Sequence, residues 1–142
     1  MKRERFLWPL TQSHHGALLL AKRVREQLPG TAGDPTALSR LAAEVRGQFQ
    51  RELGPHFGQE GEILEVFGRR VGAGDPDILR ILDEHRKMEA WAGEGSAEAL
   101  AAFAETLTRH IRFEEEVLFP RWETLFTEDE KRWVSQRLGG SR

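Results

Sequence analysis

The sequence predicts an all-α protein, an up-down-up-down four-helix bundle followed by a short C-terminal fifth helix. Three observations carry this. Charged residues make up 31% of the 142 positions and β-branched residues are few, which suits helix over sheet. Helix stops and starts, spelled in proline, glycine and cap residues, divide the chain. Between them, apolar residues recur three and four apart, the repeat of a helix with one buried face.

Met1 to Leu10 is a basic, partly apolar lead-in, and Met1-Lys2-Arg3-Glu4-Arg5 is expected to be a disordered start. A first helix runs from about Thr11 to Leu28 and stops at Pro29-Gly30. Its stripe is Leu10, His14, Ala17, Leu18, Ala21, Val24 and Leu28. Asp34-Pro35 is an N-cap followed by a proline at the first helical position. The second helix then runs to about Val71, with Leu38, Ala42, Val45, Phe49, His56, Glu60, Ile63, Phe67 and Val71 on one face. Gly54-Pro55 interrupts it, either as a kink or as the join of two helices. The stripe resumes in phase, which favours the kink. Gly72, Gly74 and Asp75-Pro76 stop this helix and start the third, which reaches about Ala92 with Ile78, Ile81, Leu82, His85 and Met88 inward. Gly93 to Ser96 is a turn, and Ser96 caps the fourth helix, about Ala97 to Thr124. Leu100, Phe103, Leu107, His110, Ile111, Glu114, Val117 and Leu118 form its stripe, and Pro120 is placed to kink it. Thr127 to Glu130 is a capping-box pattern opening the fifth helix, closed by Gly139-Gly140. No repeat or low-complexity segment divides the chain, so residues 1–142 read as one domain with one core.

Composition narrows the chemistry. There is no cysteine, hence no disulfide, thiolate metal site or cysteine nucleophile. There is no tyrosine, so no tyrosyl radical and no phenol donor. A net charge of −2 with mixed signs shows no nucleic-acid footprint. The apolar run Gly16 to Ala21 is too short to span a membrane, and its flanks do not resemble a signal peptide. The expectation is a cytoplasmic protein without membrane or nucleic-acid partner, monomeric or homodimeric.

Polar residues interrupt each stripe. His56 and Glu60 lie one turn apart on one helix face, His110 and Glu114 repeat the arrangement, and His14 and His85 sit on the other two stripes. Any one of these histidines alone reads as a hydrogen-bonded core residue, and a lone His-x-x-x-Glu as an exposed pair. Four together read as a metal site, because a buried imidazole or carboxylate needs a partner. At about 1.5 Å of rise per residue, all four can share one layer of the bundle. Any ion would be held by nitrogen and oxygen.

The stretches Ser13 to Ala21, Gly54 to Glu60, Leu82 to His85, and His110 to Pro120 with its Glu-rich run and Leu118-Phe119-Pro120 ending resemble, in that order, the hemerythrin-like or HHE cation-binding proteins, over about residues 10–135. The resemblance implies a non-haem centre of two iron ions inside a four-helix bundle, serving to bind or sense oxygen, peroxide, nitric oxide or iron. By position it makes His14, His56, His85 and His110 the imidazole ligands, Glu60 a bridging carboxylate and Glu114 the second carboxylate. A small diatomic or peroxide ligand is the implied partner. Manganese and zinc accept the same donors.

Three positions stay open. His14 lies nearer the stripe centre than His15. Glu114 has the four-residue spacing from His110 and shares its stripe, whereas Glu115 has the five-residue spacing at which oxygen carriers place an aspartate. Glu89 stands where oxygen carriers have a further histidine, and is either a ligand or a solvated neighbour of Arg86 and Lys87. An oxygen-rich donor set turns the expectation from reversible oxygen carriage towards sensing, peroxide chemistry or metal handling. An iron enzyme with peroxidase-like or oxygen-reducing activity and a metal-ordered interaction module are the alternatives. Trp8, Trp91, Trp122 and Trp133 are expected in core and edge packing, with Trp8 placed to cap the bundle end near His14.

Overall fold

Four long helical rods and a short fifth make up the computed structural model, which describes residues 2–139. A 3-10 turn (Arg5–Leu7) leads into α1 (Trp8–Gln27), and a second (Leu28–Thr31) leaves it. The second rod is α2 (Pro35–Gln48), a π-helical turn (Phe49–Leu53) and α3 (Gly54–Val71). The third is α4 (Pro76–Glu94). The fourth is α5 (Ala97–Phe113), a second π-helical turn (Glu114–Leu118) and α6 (Phe119–Leu125). The fifth is α7 (Glu128–Arg137).

The caps do what their side chains allow. Asp34 accepts from the Ala37 N–H, Asp75 from those of Asp77 and Ile78, and Ser96 from that of Ala99. Thr127 and Glu130 form the reciprocal capping box. Gly95 ends α4 with φ 71°, and a Cβ there would lie 3.0 Å from the Ala42 Cβ, so the turn needs glycine twice over. α1 packs on α5, α5 on α4, and α4 on α3 and α2, while α7 packs on the turn before α1. Among the described residues there is no strand, and no helix is long and apolar enough to cross a membrane.

The core consists of two apolar clusters. One holds Ala17, Leu20, Val24, Leu41, Val45, Phe57, Met88, Phe103, Leu107 and Ile111. The other holds Phe6, Leu7, Leu10, Ile63, Phe67, Ile81, Leu118, Phe119, Trp122 and Val134. On each rod the change from one cluster to the other falls at the polar interruption: at His14, at His56 and Glu60, at His85, and at His110 and Glu114. These residues therefore form one layer across the bundle.

Several expectations need correction. The helix does not end at Gly54-Pro55; the rod runs on, through a π turn just ahead of it that the stripe did not reveal. Leu18 is 39% exposed and Leu20 faces the core in its place, while Val117 is 40% exposed because the second π turn shifts the buried face towards Phe119 and Trp122. Trp8 does not cap the bundle end. It is 41% exposed, and Phe6 and Leu7 are buried there instead. Arg3 and Glu4 are not a loose lead: Arg3 pairs with Glu123 at 2.9 Å, and Glu4 with Lys131 at 2.9 Å. Met1 and Gly140, parts of the expected lead-in and helix stop, lie outside the described residues.

Candidate metal centre

Helix periodicity turns each candidate donor inward, and packing brings the donors within reach of one another. One nitrogen or oxygen from each of His14, His56, Glu60 and Glu114 lies within 4.8 Å of the others, and the same holds for Glu60, His85, His110 and Glu114. The two groups share Glu60 and Glu114, so they mark two adjacent positions, each with two imidazoles and two carboxylates. Glu60 and Glu114 are fully buried; His14, His56 and His110 are buried, and His85 is partly so.

Glu60 is the hub. Its Oε2 lies 2.9 Å from His56 Nε2, and its Oε1 lies 2.9 Å from His85 Nε2 and 3.8 Å from His110 Nε2. Burial acts to raise its pKa, but the His56 charge and the three imidazoles around it hold it well below the usual carboxylate range. Glu114 Oε1 lies 2.9 Å from His14 Nε2. Its Oε2 faces His110 Nε2 at 3.1 Å without hydrogen-bond geometry, and both atoms are buried without a hydrogen-bond partner among the described residues. Such orphans are rare in native interiors and call for an explanation, of which an ion is one. The residues present fit a pair of metal ions on this ground and on the convergence of nitrogen and oxygen donors.

Two carboxylates that the periodicity did not single out in this role complete the arrangement. His14 Nδ1 lies 2.7 Å from Glu115 Oε2, and His110 Nδ1 lies 2.8 Å from Glu84 Oε1. A carboxylate only accepts, so the Nδ1 of each ring is the donor. This fixes ring orientation and leaves Nε2 for the centre, the arrangement in which an outer carboxylate raises the basicity of a ligand imidazole. Both nitrogens of His14 face carboxylates. Burial acts to lower its pKa, but the bonds to Glu114 and Glu115 outweigh this and raise it from 6.5 to about 9. Burial likewise opposes, and the Glu114 charge with Glu60 and Glu84 raises, the pKa of His110. Glu115 is thus placed against the outer nitrogen of His14, whereas Glu114 is in both donor groups.

Aromatic faces hold two of the imidazoles. Phe57 stacks on His85 with ring centres 4.0 Å apart and planes 12° from parallel, and Phe119 stacks on His14 at 5.6 Å and 10°. His15 is exposed and outside both donor groups. Glu89 is also exposed and outside them, in the wall of a cleft of about 370 Å³ that Phe57, Gly58 and His85 also line. Glu84 was hidden from sequence reading because it sits one position from His85, off the stripe centre; only its proximity to His85 in Leu82-Asp83-Glu84-His85 hinted at it.

The sequence model of the hemerythrin HHE cation binding domain matches residues 6–122. Comparison with curated proteins and with solved structures returns no match.

Proposed function

The chain belongs to the hemerythrin HHE cation-binding family, and from that premise we propose that it holds a non-haem pair of iron ions and uses them to bind or sense a small oxidant or diatomic molecule. The observation that carries this reading is the pair of donor groups sharing Glu60 and Glu114, with His110 Nε2 and Glu114 Oε2 buried 3.1 Å apart and without a hydrogen bond. His14 and His56 would hold one ion, His85 and His110 the other, with Glu60 and Glu114 spanning both.

Bound iron would supply reversible redox chemistry and a site for a small ligand. The chain's own residues do the rest. Glu115 and Glu84 hold the Nδ1 protons of His14 and His110 and so aim their Nε2 atoms. The two apolar clusters exclude water on either side of the layer. His85, less buried than the other three imidazoles, borders an outer cleft, which makes its side of the centre the natural approach for oxygen, peroxide or nitric oxide.

The test is metal analysis of protein expressed under iron-replete conditions and purified without chelator, with visible spectra recorded with and without oxygen. About two iron ions per chain and a near-ultraviolet band that responds to oxygen are expected. Less than about one metal per chain would sink the reading. A second reading, turnover of peroxide, draws on the equal nitrogen and oxygen share at each position. Peroxide consumption that disappears in His56→Ala would establish it, and none above the metal-free protein would exclude it.

A further inference from the structure

The two sides of the donor layer are braced by different parts of the chain. On the His110 side the brace is local to one helix: Glu84 bonds His110, and Arg80, one turn earlier on α4, donates to Glu84 at 3.2 Å. On the His14 side it crosses the molecule. Glu115 bonds His14 and takes the Thr11 hydroxyl at 2.9 Å, and its Oε1 lies 3.3 Å from Arg3, in the segment ahead of α1.

The grip of Arg3 has a backbone cause. The second π turn closes with the Phe119 N–H on the Glu114 carbonyl. The next residue, Pro120, has no N–H, so the Glu115 carbonyl loses both donors a helix could offer it. Arg3 Nη2 supplies the missing bond at 2.6 Å, and Nη1 reaches Glu123 at 2.9 Å. The guanidinium also lies 5.5 Å from the centre of the Phe119 ring, whose face stacks on His14. One side chain, 14% exposed, thus holds the backbone and side chain of Glu115 and the aromatic wall of His14. The segment is pinned beside it, since the Glu4 N–H donates to Glu123 at 2.7 Å and the Glu4 carboxylate pairs with Lys131 of α7. Arg3 and α7 both lie outside the matched span 6–122.

We propose that Arg3 is a positioning residue for the His14 half of the centre, so that retention of the ion held by His14 and His56 depends on docking of the segment ahead of α1, while the ion held by His85 and His110 does not. The inference rests on the metal-pair reading above. It makes the two ions unequal: the docked segment guards one, and α4 braces the other from within.

The test follows release of each ion from the iron-loaded protein to excess chelator, for wild type, Arg3→Ala, Arg3→Lys and Glu123→Gln. Removing an outer-shell partner weakens a metal site by about 10-fold to 100-fold. Arg3→Ala is expected to release one ion per chain at least about 10-fold faster than wild type and the second at the wild-type rate. Arg3→Lys restores this in part, since an ammonium lacks the fork that reaches two acceptors. Glu123→Gln, which loosens the guanidinium without touching a donor, gives the same order at smaller amplitude and serves if Arg3→Ala fails to fold. In a His14→Ala background, Arg3→Ala should add nothing to release of the remaining ion. Wild-type release of both ions from Arg3→Ala, equal acceleration of both, or a further effect in the His14→Ala background would overturn the proposal. Wild-type protein that binds no pair of ions would instead overturn the metal-pair reading, a separate outcome.

Discussion

Glu60 concentrates the chemistry of the layer in one side chain. Three imidazoles face its two oxygens, and it is fully buried. Replacing one partner of a buried charge network costs about 3–5 kcal/mol, because the others stay buried and unpaired. Glu60→Ala is therefore expected to lower the stability of the metal-free protein by about that amount in chemical denaturation and to abolish binding of the ion pair. Unchanged stability would contradict the hub role. The histidines set the pH response. His14 has its folded pKa raised from 6.5 to about 9, so its contribution to metal-free stability is complete below pH 6.5 and is lost as pH rises through about 9. Glu60 acts with the opposite sign: its depressed pKa favours the fold above the ordinary value of 4.5, and that contribution is lost as pH falls through the folded value. An ion at Nε2 must displace the proton that His14 shares with Glu114. Metal affinity should rise steadily between pH 6.5 and 9, with protons released on binding, as calorimetry in buffers of different ionisation heat would measure. Flat affinity across that window would count against His14 as a ligand.

The π turns are the feature of the helices that bears most directly on function. Both stand immediately before a helix-entry proline, Phe49–Leu53 before Gly54-Pro55 and Glu114–Leu118 before Phe119-Pro120. A proline ring collides with the carbonyl four residues back, and a wider turn moves that carbonyl away. At the first turn a Cβ on residue 54 would lie 3.2 Å from the Phe49 carbonyl, which explains the glycine. At the second, the widening lets consecutive residues Glu114 and Glu115 reach the two nitrogens of one ring, His14. Pro120→Ala restores an N–H and removes the steric reason for the π turn. The metal-free melting temperature is expected to hold or rise, while metal is released faster because Glu115 leaves His14. Unaltered release kinetics would mean that the π turn has no part in the centre.

Across the whole molecule, two apolar clusters clamp one polar layer, and the proposed function would couple stability to ion binding in that layer. Ligand that binds only the folded state stabilises it by about 4 kcal/mol at a thousand times its Kd. Loading with iron should raise the melting temperature, and chelation should return it to the metal-free value; a melting temperature indifferent to metal would contradict a centre in the core. Leu100→Ala, in the cluster away from α7, is expected to cost about 2–5 kcal/mol while leaving two ions per chain, because residue 100 lies about 15 Å along α5 from His110. The sequence by itself determined the helices, their caps and the order in which histidine and glutamate interrupt each stripe, since helical periodicity and capping are local properties of short segments. It left His14 against His15 open, and the π turns, the partners Glu84 and Glu115 of the outer nitrogens, and the reach of Arg3 across 112 residues to Glu115 were decided only by the tertiary structure. A stripe states which side of a helix is buried, but not which neighbour it meets or at what depth; that depends on how four rods settle against one another around charges that none of them can bury alone.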